Sequence, residues 1–204
     1  MELVEGVSLL TYLKSKINRR LEENECRQIF SKIVSAVSHC HLQNICHRDI
    51  KLENIIVDEW HNVKLIDFGF STVIVRDKLQ NFFCGTPSYM PPEIVQKKDY
   101  DGLQADIWSL GILLYTLLCG MFPFRATNEK ELYSKIIKGV YIFPEHMSAG
   151  ACDLVRRLLN LNPKERPVAE EVSSFYLRFF LMSGSQEATL SWSTVVKEAC
   201  SIFK

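Results

Sequence analysis

Two short stretches decide the fold of this chain: His47-Arg48-Asp49-Ile50-Lys51-Leu52-Glu53-Asn54 and, thirteen residues after Asn54, Asp67-Phe68-Gly69. Asp49 can accept a proton from a hydroxyl group, and the side chains of Asn54 and Asp67 offer the hard oxygen ligands that magnesium prefers. Either stretch alone can arise by chance in a chain of 204 residues. Both together, in this order and at this spacing, predict a phosphoryl-transfer centre that acts on a nucleoside triphosphate.

The sequence around these stretches predicts a mainly α domain with one short β-hairpin. From Leu21 to Gln43, apolar residues recur every three or four positions, which is typical of an amphipathic helix. Apolar runs at 55–57 and 63–66 flank a polar stretch and predict a hairpin, which would hold Asn54 and Asp67 close together. We further expect a long loop over 70–92, a largely buried helix over 103–119, and shorter helices near 129–138, 149–160 and 168–177.

The composition is that of a single soluble globular unit. Hydrophobic residues make up 47% of the chain, and 24 basic residues balance 24 acidic ones. A net charge of zero provides no basic field for nucleic acid or an anionic membrane. The longest apolar stretch, 107–118, is interrupted by Ser109, Gly111 and Thr116 and is too short to cross a bilayer. We therefore expect neither nucleic acid nor a membrane as a partner.

The cysteines indicate the compartment. They number seven, are widely dispersed and include no Cys-x-x-Cys pair, which favours reduced thiols and a cytoplasmic location, with the nucleus as the alternative. Cys40-His41 and Cys46-His47 could be read as a zinc site. We disfavour that interpretation because His47 belongs to the first motif and Cys40 lies on a helix with an apolar stripe. The acidic start of the chain lacks the features of a signal peptide.

The two motifs resemble those of the eukaryotic protein kinase family, and the chain is similar to the C-terminal lobe of that domain. The stretch Gly85-Thr86-Pro87-Ser88-Tyr89-Met90-Pro91-Pro92-Glu93 resembles the segment that receives the substrate peptide, with Pro91 where the family commonly has alanine. Residues 117–124 are most similar to the calcium/calmodulin-dependent kinase group. Within that group the likeness is to AMP-activated-kinase relatives, including the microtubule-affinity-regulating and sperm motility kinases.

This resemblance implies a serine/threonine protein kinase that uses ATP and Mg²⁺ and acts on proteins with Ser or Thr acceptors. Asp49 would orient and deprotonate the acceptor hydroxyl, and Lys51 would meet the transferring phosphate. Thr86 would bridge Asp49 and Lys51. The pattern Asp-x-Lys-x-x-Asn is similar to serine/threonine rather than tyrosine kinases. Asn54 and Asp67 would bind magnesium.

Further residues receive supporting roles from the same resemblance. Asp106 would brace the catalytic loop, and Arg166 would pair with Glu93. The nucleotide would be held by the residues that correspond to the hinge and the adenine pocket, together with the magnesium-binding aspartate: Glu2, Val4, Ile56, Ile66 and Asp67.

The chain departs from the family pattern at its start. Met1-Glu2-Leu3-Val4-Glu5-Gly6 matches the hinge, so the N-terminal β lobe, with its glycine-rich loop and lysine, is expected to be missing. We expect a truncated kinase domain over 1–180 with little or no activity, and a tail over 181–204 that forms a docked helix or a partner-binding segment. The alternative is a non-catalytic kinase-like module that binds a regulatory protein or competes with a full-length relative.

A second departure lies in the activation loop. Two residues before Cys84, where related kinases usually carry a phosphorylated threonine, this chain has Phe82. In the family that phosphate would pair with Arg48. Activation by phosphorylation at this position is therefore excluded, and either packing of Phe82 and Phe83 holds the loop or the loop is unregulated.

Overall fold

Helices dominate the architecture, with two small antiparallel sheets beside them. The computed structural model describes residues 4–75 and 78–172. In chain order its elements are β1 (Val7–Ser8), α1 (Leu9–Ser15), α2 (Glu23–Leu42), β2 (Ile45–Cys46), β3 (Ile55–Val57), β4 (Val63–Leu65), β5 (Thr72–Val73), α3 (Pro92–Val95), α4 (Gly102–Cys119), α5 (Glu129–Lys138) and α6 (Ala149–Leu158).

The larger sheet has the strand order β1-β3-β4, and both of its strand pairs are antiparallel. Two residues of β3 are paired on both sides: Val57 lies opposite Val7 and Val63, and Ile56 lies opposite Ser8 and Lys64. The smaller sheet pairs β2 with β5. The first motif, residues 47–54, lies between β2 and β3. Asp67 of the second motif follows β4 after one residue, Ile66, whose N–H is bonded to the Asn54 carbonyl oxygen. The end of the first motif therefore lies beside the start of the second.

The core is built around α4, whose residues are buried almost throughout. Asp101 caps the start of this helix by accepting a hydrogen bond from the Leu103 N–H at 2.9 Å. Gly120 ends the helix with a φ of 71°. A Cβ at this position would lie 2.6 Å from the Asn18 carbonyl oxygen, so only glycine fits the turn.

By length and composition α4 could cross a bilayer, but 89% of it is buried inside the protein. The helix is longer than the apolar stretch 107–118 because Asp101 caps it about five turns before its end and Gly102 and Ala105 in its first turn are also buried. Its burial is typical of a core helix, which the sequence predicted.

Most of the predicted elements are confirmed. The 21–43 helix, the hairpin, the 103–119 helix and the 129–138 helix form within two residues of the expected bounds, and the 149–160 helix ends at Leu158. The 70–92 stretch was predicted as a loop without regular structure, which is wrong in part, since it contains β5 and a bridge between Gln80 and Tyr100. The last predicted helix is helical over 169–172. Its remainder and the 181–204 tail lie outside the described residues.

Candidate active site

Three side chains converge on the catalytic loop between β2 and β3. The Lys51 ammonium nitrogen lies 2.6 Å from Asp49 Oδ2. The Thr86 hydroxyl donates to Asp49 Oδ1 at 2.9 Å and accepts from Lys51 Nζ at 3.2 Å. Asp49 is buried and Lys51 half-buried. The carboxylate is therefore held at both oxygens, one by a cation and one by a hydroxyl.

Asn54 completes the loop from the end of a short 3₁₀ turn, Leu52–Asn54. Its Nδ2 donates to the Asp49 carbonyl oxygen at 2.9 Å and to Asp49 Oδ2 at 3.0 Å. Because both partners are oxygens, the amide orientation follows from the contacts, and Oδ1 is turned away as an acceptor. An amide oxygen in this position can serve as a ligand for a hard cation.

The hairpin brings the second motif beside Asn54, as its sequence predicted. The Ile66 N–H donates to the Asn54 carbonyl oxygen at 2.9 Å, which places Asp67 one residue from that contact. Asp67 is exposed and adopts a left-handed conformation with a φ of 62°. Its Oδ1 accepts from the Gly69 N–H at 3.3 Å.

The oxygen donors suit magnesium better than a softer metal. Asn54 offers an amide oxygen and Asp67 a carboxylate, and Mg²⁺ typically takes one or two protein carboxylates together with substrate phosphates and water. Within 4–75 and 78–172, no group of three His, Cys, Asp or Glu could hold a metal. The residues present thus fit a cation that arrives with a nucleotide rather than one caged by protein.

His47 anchors the loop from inside. The Asp49 N–H donates to His47 Nδ1 at 3.3 Å, and His47 Nε2 lies 3.0 Å from the Ile66 carbonyl oxygen. Nδ1 must accept and Nε2 must donate, so these contacts define the neutral tautomer. The ring also meets Phe68 edge-on, with the centroids 4.8 Å apart. One buried histidine therefore connects both motifs.

Asp106 braces the loop from α4, as predicted. Its Oδ2 accepts from the His47 N–H and its Oδ1 from the Arg48 N–H, each at 2.8 Å. His41 Nε2 lies 3.0 Å from the same carboxylate. Asp106 is only 1% exposed, and a buried carboxylate of this kind is stable only when its oxygens are satisfied. The two backbone donors turn the loop, and Arg48 has a φ of 65°.

The sequence analysis did not predict that His41 contacts Asp106, because the position of His41 fits the apolar stripe of α2. The available signal was a polar side chain at a stripe position, which calls for a buried partner. His41 and His47 contact carboxylate and carbonyl oxygen atoms and a backbone N–H.

The peptide-receiving segment is tied to the loop by Tyr89. Its hydroxyl accepts from the Leu52 N–H at 3.2 Å, and its carbonyl oxygen accepts from Ser109 Oγ at 3.2 Å. Burial raises the pKa of the Tyr89 phenol well above its usual range. The phenol is therefore uncharged, and its oxygen accepts this bond through a lone pair.

The predicted Glu93–Arg166 pair is also confirmed. Arg166 donates to the two carboxylate oxygens of Glu93 at 2.6 and 2.8 Å, the bidentate geometry that suits a guanidinium. It donates further to the carbonyl oxygens of Gln104 and Asn160 and lies over the Trp108 ring. This pair fixes the end of the peptide-receiving segment to the base of the lobe.

The residues assigned to the adenine pocket lie on or next to the larger sheet. Ile56 is half-buried in the central strand, opposite Ser8 and Lys64. Ile66 is half-buried between Asn54 and His47, to which its backbone is bonded. Val4 is half-buried before β1, and Glu2 lies outside the described residues. Ile56 and Ile66 therefore share the hairpin that carries Asp67.

A helical lobe with a lysine-paired aspartate, an amide donor and an exposed aspartate on an adjoining hairpin is the arrangement that the resemblance to protein kinases implied. The chain belongs to the protein kinase family, since the family model described as protein kinase domain matches residues 1–176.

Individual relatives agree with this assignment. The chain is similar to serine/threonine protein kinase OSK3 of Oryza sativa subsp. indica, with 42% identity over 172 residues that make up 84% of this chain and 34% of the relative. Its similarity to serine/threonine protein kinase OSK4 of Oryza sativa subsp. japonica is also 42% over 172 residues, or 84% of this chain and 33% of the relative. The chain thus spans about a third of the length of these curated relatives.

Proposed function

We propose that this chain forms the C-terminal lobe of a serine/threonine protein kinase, which transfers the γ-phosphate of ATP to a protein hydroxyl. One observation carries the proposal: Asp49 Oδ2 lies 2.6 Å from Lys51 Nζ while its Oδ1 accepts from Thr86. The pattern Asp-x-Lys-x-x-Asn, which contains Lys51, resembles serine/threonine rather than tyrosine kinases. The rice relatives are named serine/threonine protein kinases.

We propose a task for each side chain that is consistent with this geometry. Asp49 is the proton acceptor for the substrate hydroxyl, and Asn54 and Thr86 keep its carboxylate at a fixed angle. Lys51 donates to both Asp49 and Thr86, so its ammonium group is placed to offset charge on the transferred phosphate. Asn54 and Asp67 would hold Mg²⁺, which supplies neutralisation of phosphate charge when bound.

The other parts of the proposal concern the nucleotide, the domain and the cell. Val4, Ile56, Ile66 and the hinge residue Glu2 would contact the adenine. The kinase domain would occupy 1–180, with 181–204 as a tail that docks on the lobe or binds a partner. We place the protein in the cytoplasm or nucleus and in the calcium/calmodulin-dependent group, near AMP-activated-kinase relatives. Its partners would be proteins with Ser or Thr acceptors and a regulatory protein, not nucleic acid or membranes.

The 204-residue polypeptide on its own should be a poor catalyst. Its sequence contains no Gly-x-Gly-x-x-Gly loop to cover the phosphates. Positioning of reactants is worth about 7–11 kcal/mol of a barrier, whereas a general base contributes about 10²- to 10⁴-fold. Asp49 therefore cannot compensate for an incomplete nucleotide clamp, and turnover should fall well below the roughly 1–100 s⁻¹ of typical kinases.

A second function, a non-catalytic module that binds a regulatory protein, is favoured by one feature. Apolar side chains are exposed along the segment that follows the second motif, with Val73 64%, Val75 61% and Leu79 56% exposed. Exposed apolar clusters of this kind mark protein interaction surfaces. Retention of Asp49, Lys51, Asn54 and Asp67 in one assembled site favours the catalytic proposal over this one.

A chimeric kinase separates the two functions. The N-terminal lobe of rice OSK3 would be joined to residues 4–204 of this chain, and phosphate transfer would be measured with peptides that differ only in a Ser, Thr or Tyr acceptor. We expect transfer to Ser and Thr, with a loss of about 10²- to 10⁴-fold in the Asp49→Asn variant. A folded chimera that binds ATP but transfers no phosphate would support the binding module instead.

A further inference from the structure

Phe82 lies against the guanidinium group of the catalytic loop. The Arg48 Cζ atom is 5.6 Å from the centroid of the Phe82 ring. The face of an aromatic ring carries partial negative charge and attracts a cation at this distance. The side chain that excludes phosphorylation at this position therefore still offers Arg48 an electron-rich partner.

Arg48 is restrained on its other sides as well. Its Nε donates to the Phe70 carbonyl oxygen at 2.6 Å, and its backbone N–H donates to Asp106 Oδ1 at 2.8 Å. In the part of the chain that the structure describes, no carboxylate forms an ion pair with Arg48. Arg48 thus joins the catalytic loop, the segment after Asp67 and the activation loop, and the Phe82 ring faces its charge.

The backbone at Phe82 is fixed separately from its ring. The Tyr100 hydroxyl donates to the Phe82 carbonyl oxygen at 2.8 Å, and Tyr100 is only 2% exposed. Gln80 exchanges two backbone hydrogen bonds with Tyr100, at 2.7 and 3.0 Å. The Phe82 ring itself is 58% exposed, so burial in the core contributes little to its placement. Its specific contact within 4–75 and 78–172 is the one with Arg48.

We propose that Phe82 is a positioning residue that takes the place of a phosphate as the partner of Arg48 and holds the catalytic loop without phosphorylation. Three residues separate Phe82 from Thr86, whose hydroxyl donates to Asp49. The contact between the Phe82 ring and Arg48 therefore restrains two parts of the site. One is the backbone of the catalytic loop at Arg48, and the other is the segment that carries Thr86. This inference rests on the proposed kinase function, but its structural part can be measured without activity.

The test is hydrogen–deuterium exchange of the 204-residue chain, followed by mass spectrometry of peptides from the catalytic loop (45–52) and the activation loop (81–89). Phe82→Leu removes the aromatic face at similar bulk, Phe82→Trp keeps it, and Phe83→Leu is the matched control one residue away. We expect Phe82→Leu to raise exchange in both peptides about two- to fivefold, the range for losing one exposed cation–π contact. Phe82→Trp should match the wild type, and Phe83→Leu should leave 45–52 unchanged.

Two results would overturn the proposal. One is a Phe82→Leu variant whose exchange equals that of the wild type, which would mean that the ring face has no role. The other is faster exchange confined to 81–89, which would make Phe82 a local packing residue without effect on the catalytic loop. Exchange in α4 serves as the check that each variant is folded. In the OSK3 chimera, Phe82→Leu should lower kcat and leave the KM for ATP unchanged.

Discussion

The Thr86 hydroxyl lies 2.9 Å from Asp49 Oδ1, although 37 positions separate the two residues in the chain. This hydrogen bond connects the 85–93 segment to the carboxylate that we propose as the proton acceptor. Because Lys51 also donates to Thr86, the hydroxyl contacts both charged side chains. The position of the 85–93 segment and the orientation of the Asp49 carboxylate are therefore coupled.

Thr86→Val tests that link, since it removes the hydroxyl and preserves the shape of the side chain. A hydrogen bond to a charged group is worth about 1.5–3 kcal/mol, so kcat of the OSK3 chimera should fall about 10- to 100-fold. Thr86→Ser retains the hydroxyl and should stay within a few-fold of the wild type. Equal activity of the Val and Ser variants would show that Asp49 needs no support from Thr86.

Asp106→Asn should loosen the catalytic loop. The carboxylate accepts from the backbone of His47 and Arg48 and contacts His41. An amide offers one oxygen fewer and leaves a buried donor unsatisfied, which costs about 1–3 kcal/mol. Urea unfolding followed by circular dichroism measures the loss.

Asp101→Asn is the matched control for that variant, because it makes the same chemical change at the N-cap of the same helix. Asn and Asp cap helices about equally well, so the free energy of unfolding should change by only a few tenths of a kcal/mol. If the two variants proved equally stable, Asp106 would not be the brace of the loop.

The Glu93–Arg166 pair should be costly to break from one side. Arg166 is fully buried at its side chain, so Glu93→Leu leaves a guanidinium without its charge partner. Removal of one member of a buried pair typically costs about 3–5 kcal/mol. The lower end is expected here, because Arg166 keeps its bonds to the Gln104 and Asn160 carbonyls.

The double variant Glu93→Leu/Arg166→Met isolates the interaction. It removes both charges, so its loss of stability should be smaller than the sum of the two single variants. A loss equal to that sum would mean that Glu93 and Arg166 contribute independently.

Glu25, which lies away from the site, should stabilise the folded chain in a way that is lost at acidic pH. Burial opposes ionisation of this carboxylate, but hydrogen bonds from Lys16 at 2.6 Å and Tyr12 at 2.5 Å outweigh it, and the pKa of Glu25 is lowered from 4.5. A carboxylate with a lowered pKa in the folded state stabilises the protein above its unfolded-state pKa. That contribution disappears as the pH falls below about 4.5 and through the folded-state pKa.

Glu25→Gln should therefore reduce the free energy of unfolding by about 1 kcal/mol at pH 7. At pH 3 the difference from the wild type should be smaller, because part of the wild-type carboxylate is then protonated. The exposed Glu59→Gln change in the β3–β4 turn is the comparison, and it should have little effect at either pH. A difference for Glu25→Gln that does not depend on pH would contradict the sign of the shift.

Local sequence signals were sufficient for the helices and the hairpin. The apolar spacing of α2, the cap at Asp101 and the glycine at 120 act within a few residues, so their effect can be read from the chain. β2 and β5 have two residues each, too few for a periodic pattern, and they pair only because the lobe brings them together.

The site shows the same division. The resemblance to protein kinases implied that Thr86 would bridge Asp49 and Lys51, and the predicted hairpin implied that Asn54 and Asp67 would lie close together. The link between His41 and Asp106 depends on how α2 packs against α4, which no local pattern specifies. The placement of the Phe82 ring over Arg48 depends on the path of the activation loop, and the sequence could only leave packing as one of two alternatives.

Magnesium-dependent nucleotide binding at this site can be measured directly by calorimetric titration of the purified 204-residue chain with ATP, with and without Mg²⁺. The Asp67→Ala variant is titrated in the same way. Asp67 is exposed, so the variant should fold, although alanine fits the left-handed conformation less well and loses the bond from the Gly69 N–H. We expect binding that needs Mg²⁺ and disappears in Asp67→Ala. A folded wild-type chain that binds no ATP, or binds it equally well in the variant, would contradict the assignment of this site to magnesium-dependent phosphoryl transfer.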